Sequence, residues 1–231
     1  MKEERGVAMN VDVDLRRELE PLPPKMRHLP VDHRGFVVPY FVAWIDGVPD
    51  HRIVDGRKWP LAVRDRLCWV CGGQLGRHLS FALGPMCAVN RVNAEPPSHL
   101  ECATWSARNC PFLSRSHMHR REVDRTELEV RDPAGMALTR NPGVTGVWTT
   151  TSFRVFKAGT GPLIEIGPPE HVEWYCEGRT ATREEVRLST DSGLPKLIEA
   201  CALEAGAERQ REALEALLEK RQAVEALWPR S

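Results

Sequence analysis

The chain has 231 residues, of which 42% are hydrophobic and 28% charged, and its 32 basic side chains balance 32 acidic ones. This composition is typical of a folded globular protein and excludes wholesale disorder, collagen and coiled-coil-only architectures. No stretch approaches the ~20 consecutive apolar residues of a membrane helix, and seven cysteines are too few for a disulfide-stapled miniprotein. The charged start of the chain has no apolar signal segment, which predicts a cytoplasmic protein without a membrane partner.

Charge is unevenly distributed along the chain. Residues 51–121 carry 11 basic and 4 acidic side chains, a net charge of +7, whereas residues 165–231 carry 9 and 14, a net charge of −5. The basic block also holds five of the seven cysteines and five of the eight histidines. Positive charge beside a metal-binding sequence predicts a polyanionic partner such as nucleic acid. The alternative, that this block complements the acidic end of the same chain, is equally open.

The chain divides into three predicted regions. Residues 1–35 are predicted to form an extended arm, because prolines at positions 21, 23 and 24 disfavour an α-helix. Residues 36–180 form the second region. Strands are predicted around residues 35–45, 145–157, 163–166 and 171–176, which are rich in β-branched and aromatic side chains. Together with the helices described below, these strands predict a small β-rich domain of the α+β class.

Helix signals dominate the third region, residues 181–231. Thr182 followed by Glu185 matches a capping box, and the sequence from Gly193 to Pro195 is predicted to end that helix and begin another. The last helix carries an apolar stripe at helical spacing, made of Leu214, Leu217, Leu218, Val224, Leu227 and Trp228. Such a stripe usually packs on the parent domain, but it could also mediate a homodimer, so the oligomeric state stays open.

The most informative segment is a zinc module predicted over residues 67–113. Cys68 and Cys71 form a Cys-x2-Cys pair followed directly by Gly72. Two thiolates at this spacing bind one ion only where the backbone turns tightly beyond them, and glycine adopts the required backbone angles. The pattern is typical of a zinc knuckle. In a reducing cytoplasm, clustered cysteines bind metal more often than they form disulfides.

A second pair of ligands is predicted at His99 and Cys102. Ser98 is a suitable N-cap, and Glu101 three residues later completes a capping box. This predicts a helix whose first turn carries both ligands on one face. The four residues form the pattern C-x2-C-x27-H-x2-C. A set with one histidine, spaced for one tetrahedral ion, favours Zn²⁺ in a structural role over an iron–sulfur cluster.

The 27 residues between the two pairs contain a predicted β-hairpin over residues 77–86. A knuckle, a hairpin and a helix carrying the last two ligands make up the layout of a treble-clef zinc finger, which we expect to be embedded in the domain. Cys87 and Cys110 are rival ligands, and either could replace His99. We predict instead that both are buried as small hydrophobic side chains.

The same block resembles a set of uncharacterised proteins from bacteriophages and bacteria in its CxxCG, GPMCAVNR, EPPSHxxC and CPF elements. The resemblance extends from about residue 21 to the helical end of the chain. It implies a zinc-binding protein of a bacterial or phage cytoplasm, and it implies no particular activity.

A closed site with four protein ligands is structural, because it leaves no position for water or substrate. We therefore expect an accessory protein that binds nucleic acid or a host or phage protein complex. Arginine binds phosphate in a bidentate manner. The candidate nucleic-acid contacts are Arg77, Arg91, Arg108, Arg115, Arg120 and Arg121.

A metal-dependent enzyme acting on nucleic acid is the alternative. In an HNH-like nuclease, His78 and His119 would be the candidate catalytic residues, although the predicted helix after Cys102 contains no histidine. A nucleobase deaminase is favoured less, because its H-x-E and C-x2-C elements occur here in reversed order. The sequence therefore assigns no catalytic residue beyond these two candidates.

Overall fold

The computed structural model describes residue 16 and residues 18–114, 143–159, 161–205 and 209–230. It contains both helices and sheets, so the predicted α+β class is confirmed. The helices are α1 (Lys58–Arg64), α2 (Pro85–Asn90), α3 (Leu100–Asn109), α4 (Pro111–Ser114), α5 (Arg183–Ala205) and α6 (Gln210–Glu225). The strands are β1 (Val42–Ile45), β2 (Val48–Val54), β3 (Leu79–Leu83), β4 (Val92–Asn93), β5 (Thr145–Thr150), β6 (Phe153–Ala158), β7 (Gly161–Ile166), β8 (His171–Cys176) and β9 (Arg179–Thr180). Among these described residues, no helix combines the length and apolar character that crossing a bilayer requires.

A four-stranded antiparallel sheet in the order β3-β5-β8-β9 forms the centre of the fold. Its strand β5 places Trp148 opposite Phe81 of β3 on one side and opposite Val172 of β8 on the other. Every residue of β5 is buried, because both faces of the sheet are covered. The run of apolar and β-branched side chains that predicted this strand therefore reflects burial on both faces.

Different helices pack on the two faces of this sheet. On one face, Ala103 and Ala107 of α3 pack against Val147 and Tyr175, and the small alanine side chains allow α3 to approach the strands closely. The opposite face contributes to the main hydrophobic core, whose large members include Phe81, Trp148, Trp174, Leu217, Val224 and Trp228.

Two smaller sheets complete the strands. A three-stranded sheet in the order β4-β7-β6 contains a hairpin of β6 and β7, with Phe153 opposite Ile166. Strands β1 and β2 form a separate two-stranded ribbon, in which Trp44 lies opposite Pro49. The strand predictions for the second half of the domain are confirmed, although the run at 145–157 is two strands rather than one.

The prediction of a β-hairpin over residues 77–86 is wrong. The first part of this segment is strand β3, but Pro85 is the first residue of helix α2, a position that proline favours. Strand β3 pairs instead with β5, and the hydroxyls of Ser80 and Thr149 hydrogen-bond across 69 positions of sequence. The other edge of β3 is covered by two backbone hydrogen bonds between Ser80 and Ser98. The local pattern could not reveal a partner so far along the chain.

The prediction of a helix break at Gly193 and Pro195 is also wrong, because α5 continues through both residues. Gly193 permits close packing: a Cβ atom at this position would lie 2.8 Å from Cγ of Met86 on α2. The predicted start of α5 is confirmed, since the carboxylate of Glu185 accepts the backbone N–H of Thr182 at 2.8 Å. The glycine therefore serves helix packing rather than helix termination.

The described part of the predicted arm lies against α3. Its prolines exclude an α-helix but allow a single 3-10 turn, Pro24–Met26, with a buried methionine. Glu20 binds the C-terminal end of α3: its carboxylate accepts hydrogen bonds from Arg108 (2.9 Å) and Asn109 (3.2 Å). The indole N–H of Trp105 donates to the backbone carbonyl of Glu20 at 3.1 Å. These contacts fix the end of α3 that is distant from the predicted ligands.

The apolar stripe predicted on the last helix divides into two parts. Leu217, Val224 and Trp228 are buried in the main core, so this part packs on the rest of the chain. Leu214 and Leu218 remain 36% and 44% exposed. The helix therefore keeps apolar side chains at the surface in addition to those that it buries.

Candidate metal centre

A tight backbone turn carries the first two cysteines. Hydrogen bonds of 2.8 Å join the N–H of Cys68 to the carbonyl of Gly73 and the N–H of Gly72 to the carbonyl of Cys68. Gly72 has a φ of +73°, and a Cβ atom at this position would lie only 2.8 Å from Cδ2 of Tyr40. Both the backbone angle and the lack of space require glycine here, as the knuckle prediction assumed.

The N-terminus of α3 carries the other two ligands. His99 is the N-cap residue and Cys102 lies in the first turn, so the helix begins one residue later than predicted. The expected capping box is absent, because α3 has no side-chain hydrogen bond at its N-cap. Glu101 forms an ion pair with Lys25 instead, at 2.7 Å, and Ser98 is used in the backbone pairing with β3. The predicted placement of the two ligands nevertheless holds.

The four residues converge on a single point. The Sγ atoms of Cys68, Cys71 and Cys102 and a ring nitrogen of His99 all lie within 4.8 Å of one another. Nδ1 of His99 is 3.4 Å from Sγ of Cys71 and 3.8 Å from Sγ of Cys102. All four side chains belong to buried residues, at most 9% exposed. Three sulfurs and one imidazole nitrogen this close together can hold one metal ion in tetrahedral coordination.

Backbone groups around the cluster orient these ligands. The N–H groups of Cys71 and His99 both point at Sγ of Cys68, at 3.4 Å. Nε2 of His99 lies 2.9 Å from the carbonyl oxygen of Gln74. This contact places the imidazole proton on Nε2 and leaves Nδ1 free for a metal ion, as is usual for ligating histidines. The sequence gives no signal for Gln74, because a backbone carbonyl can come from any residue type.

The electrostatics of the cluster favour a bound cation. Hydrogen bonds from the thiols of Cys102 and Cys71, together with backbone N–H groups, hold the pKa of Cys68 far below its usual range. The pKa of Cys102 is raised far above its usual range by its hydrogen bonds to Cys68 and Cys71 and by burial. The thiols therefore oppose one another's ionisation. A divalent cation would compensate the repulsion among several thiolates and allow further ligands to lose their protons.

The rival ligands lie outside this group. Cys87 is on α2, is partly buried against the main core, and its pKa is raised to about 11 by that burial. Cys110 is the C-cap residue of α3, which places it about 12 Å farther along the helix axis than Cys102. All seven cysteines are free of disulfides. The structure therefore groups His99, and neither rival cysteine, with the other three ligands.

Two of the arginines predicted to contact nucleic acid are used within the fold. The guanidinium of Arg91 lies 4.6 Å from the ring centroid of Trp148 and donates to the carbonyl of Gly167 at 3.3 Å. Burial lowers the pKa of Arg91. Arg108 binds Glu20, as described above. These contacts give both arginines a structural role in the chain.

Arg77 and His78 are exposed beside the metal cluster. They line a shallow groove of about 750 Å³ between the arm and α3. Nδ1 of His78 lies 2.8 Å from Oε2 of Glu170, so its imidazole is already paired with a carboxylate. The remaining predicted nucleic-acid contacts and the second candidate catalytic histidine fall outside the described residues; they are Arg115, Arg120, Arg121 and His119. The pairing of His78 with His119 thus stays a prediction.

No family model, no curated protein and no solved structure matches the chain. The resemblance to bacteriophage and bacterial proteins therefore stays a prediction. The functional argument depends on the geometry of the cluster and on its surroundings.

Proposed function

We propose that this chain is a zinc-stabilised accessory protein that acts by binding a protein complex in a bacterial or phage cytoplasm. The observation that supports a non-catalytic role is the closed cluster, whose four buried side chains would together complete a tetrahedral shell around one ion. Such a shell leaves no position for water or substrate. Zn²⁺ is the ion that this donor set favours, since thiolate and imidazole ligands in tetrahedral geometry suit it.

The proposed role of zinc is to join two separate parts of the backbone. Cys68 and His99 are 31 positions apart, and β3, α2 and β4 occupy the sequence between them. The arrangement is treble-clef-like, with a knuckle and a ligand-bearing helix, but a strand and a helix stand where the hairpin was expected. Because α3 packs on the central sheet and binds Glu20 at its other end, zinc would fix the arm, the helix and the sheet relative to one another.

A protein partner is favoured over a nucleic acid by the surroundings of the basic side chains. Arg91 and Arg108 are engaged inside the fold. Other arginines of the basic block form ion pairs with nearby carboxylates, and these pairs are Arg52–Asp50, Arg57–Asp55 and Arg64–Asp65. A phosphate would have to displace these carboxylates. Because Asp50 and Glu20 lie outside residues 51–121, the net charge of +7 does not include their compensation of Arg52 and Arg108.

Affinity purification after crosslinking in the native host cells tests this proposal. The wild-type chain should retain a stoichiometric protein partner after treatment with nuclease, and a Cys68→Ser/Cys102→Ser variant should lose that partner together with its zinc. Recovery that disappears on nuclease treatment would identify nucleic acid as the partner. Anisotropy measurements with single- and double-stranded DNA and RNA at two salt concentrations would then show binding that weakens as salt rises.

The alternative of a metal-dependent enzyme has less support. A deaminase needs an open position on zinc and a free glutamate for proton transfer, whereas Glu101 is paired with Lys25. In a nuclease, His78 is the candidate base, but among the described residues the only group of three or more His, Cys, Asp or Glu side chains that could hold a metal ion is the buried cysteine–histidine cluster. We expect no cleavage of DNA or RNA by the wild-type chain in the presence of Mg²⁺ or Mn²⁺. Cleavage that depends on metal and is lost in His78→Ala would establish the enzyme instead.

A further inference from the structure

The groove between the arm and α3 is built directly on the metal centre. Pro21 and Pro23 of the arm line it together with the first half of α3. Two further lining residues are His99, a ligand of the cluster, and Gln74, whose carbonyl oxygen lies 2.9 Å from Nε2 of that histidine. The groove volume of about 750 Å³ falls within the roughly 300–1,000 Å³ that is typical of ligand sites.

The segment that carries Arg77 into this groove is held in place by the knuckle. The N–H of Leu75 donates to the carbonyl of Arg66 at 2.8 Å. The guanidinium of Arg66 donates in turn to the carbonyl of Gly76 at 3.0 Å. Arg77 follows directly, and both arginines are exposed. A ligand that binds here therefore meets a backbone that is already ordered, which lowers the entropic cost of binding.

The carboxylates that line the groove already have cationic partners. Glu101 is paired with Lys25 at 2.7 Å, and Glu20 binds the end of α3, as described above. In the part of the chain that the structure describes, no carboxylate lies within ion-pair distance of Arg66 or Arg77. This end of the groove therefore carries uncompensated positive charge, which attracts an anionic group.

The same groove offers an apolar contact. Leu100, the first residue of α3, lines it and is 44% exposed. Thr104 lines it one turn later, on the same face of the helix. An apolar side chain beside an uncompensated cation complements a polypeptide that has an acidic side chain next to an apolar one. A nucleic acid fits less well, because its phosphates would also approach the carboxylates of Glu20 and Glu101.

We propose that this groove binds a segment of a partner protein in which an acidic side chain stands beside an apolar one. The guanidinium of Arg77 binds the carboxylate, a pairing for which its planar fork is suited, and Leu100 packs on the apolar side chain. This inference rests on the proposed role in binding a protein complex, and it adds the surface and the chemistry of the partner.

Selection of a displayed random-peptide library on the intact chain tests this chemistry. The enriched peptides should share an aspartate or glutamate next to a large apolar residue, and one labelled enriched peptide is then the probe for anisotropy measurements. Arg77→Gln should weaken its binding roughly 10-fold or more, as the loss of a hydrogen bond to a charged group does. Arg57→Gln is the matched control, since it removes the same charge at an exposed position outside the groove, and it should bind like the wild type.

The apolar contact is tested separately. Leu100→Ser should weaken binding of the same peptide about 3- to 10-fold, because the exposed 44% of the leucine represents about half of its burial free energy. Leu203→Ser makes the same change at a leucine of α5 that is 77% exposed and lies outside the groove, so it should leave binding unchanged. Circular dichroism and zinc content show that each variant keeps the fold.

Several results would overturn the proposal. Enrichment of no peptide, or of peptides without an acidic residue, would do so, as would binding that is unchanged in both folded groove variants. Single-stranded DNA that binds more tightly than the peptide and depends on Arg77 would assign the groove to nucleic acid instead. In the crosslinking purification, a partner retained equally by Arg77→Gln/Leu100→Ser and by the wild type overturns the groove alone. A wild-type chain that retains no protein partner overturns the accessory function as well.

Discussion

Replacing Cys102 by serine tests whether a bound metal stabilises the fold. The side chain is fully buried and its sulfur belongs to the four-ligand cluster. A ligand present at a thousandfold excess over its dissociation constant stabilises the folded state by about 4 kcal/mol. For a chain of this length each kcal/mol corresponds to about 2–4 °C in Tm, so loss of the metal should lower the Tm by roughly 8–16 °C. That loss is a large part of the roughly 5–15 kcal/mol that stabilises a typical protein.

Thermal unfolding with and without a chelator, together with metal analysis, measures this effect. The wild-type chain should contain one zinc ion and should lose this Tm difference when the chelator is added. Cys102→Ser should start near the lower Tm, respond little to chelator and contain little zinc. Cys87→Ser is the matched control, because it makes the same chemical change on α2, outside the cluster. It should retain zinc and respond to chelator like the wild type.

Two results would refute this reasoning. A wild-type chain that contains no metal and whose Tm is unaffected by chelator would show that the cluster is a group of buried thiols. A Cys87→Ser variant that loses as much zinc as Cys102→Ser would show that the ligand set is assigned incorrectly. In the first case the proposed structural role of zinc fails, and in the second only the choice of ligands fails.

Gly72→Ala should lower the free energy of unfolding in urea by roughly 2–4 kcal/mol, because it combines left-handed strain with a contact on Tyr40. Gly47 has a similar φ of +79°, but an added Cβ atom there would meet no atom within 4 Å, so Gly47→Ala should cost only about 1 kcal/mol. Equal losses of stability in the two variants would show that the contact with Tyr40 is unimportant. The second prediction concerns pH: the Arg179 guanidinium lowers the pKa of Glu185 from its ordinary 4.5 to about 2. The folded-state pKa lies below the unfolded one, so the stabilisation is present above about pH 4.5 and is lost towards pH 2. Glu185→Gln should be less stable than the wild type at pH 7 and equal to it near pH 2, and a difference that is constant across this range would contradict the assignment.

The grouping of the three cysteines with His99 could be predicted from the sequence because its determinants are local. Cys68 and Cys71 share one backbone turn, and Gly72 supplies the conformation that this turn needs. His99 and Cys102 share the first turn of a helix. The choice of His99 over Cys87 and Cys110 was open in the sequence, since all three lie within reach along the chain. It follows only from where α2 and the far end of α3 are placed.

The errors arise where tertiary packing overrides a local signal. The local sequence of residues 77–86 predicts a hairpin, but strand β3 in this segment pairs with β5, which begins at Thr145. Glycine often ends helices, yet Gly193 has no positive φ and instead allows close contact with Met86. The attachment of Glu20 to α3 joins residues 89 positions apart. Hydrophobic periodicity and turn propensity carry no information about such long-range contacts.

The placement of β3 has a consequence for the order in which the chain is synthesised. This strand is made well before β5, its partner in the sheet, whereas Ser98, which covers its other edge, follows much sooner. Metal capture by His99 would hold Ser98 in place while β5 is still missing. An unpaired strand edge invites self-association of the nascent chain. Because Ser98 covers only one edge of β3, the edge that pairs with β5 would stay exposed on the nascent chain until Thr145–Thr150 has been made, whether or not a metal is bound.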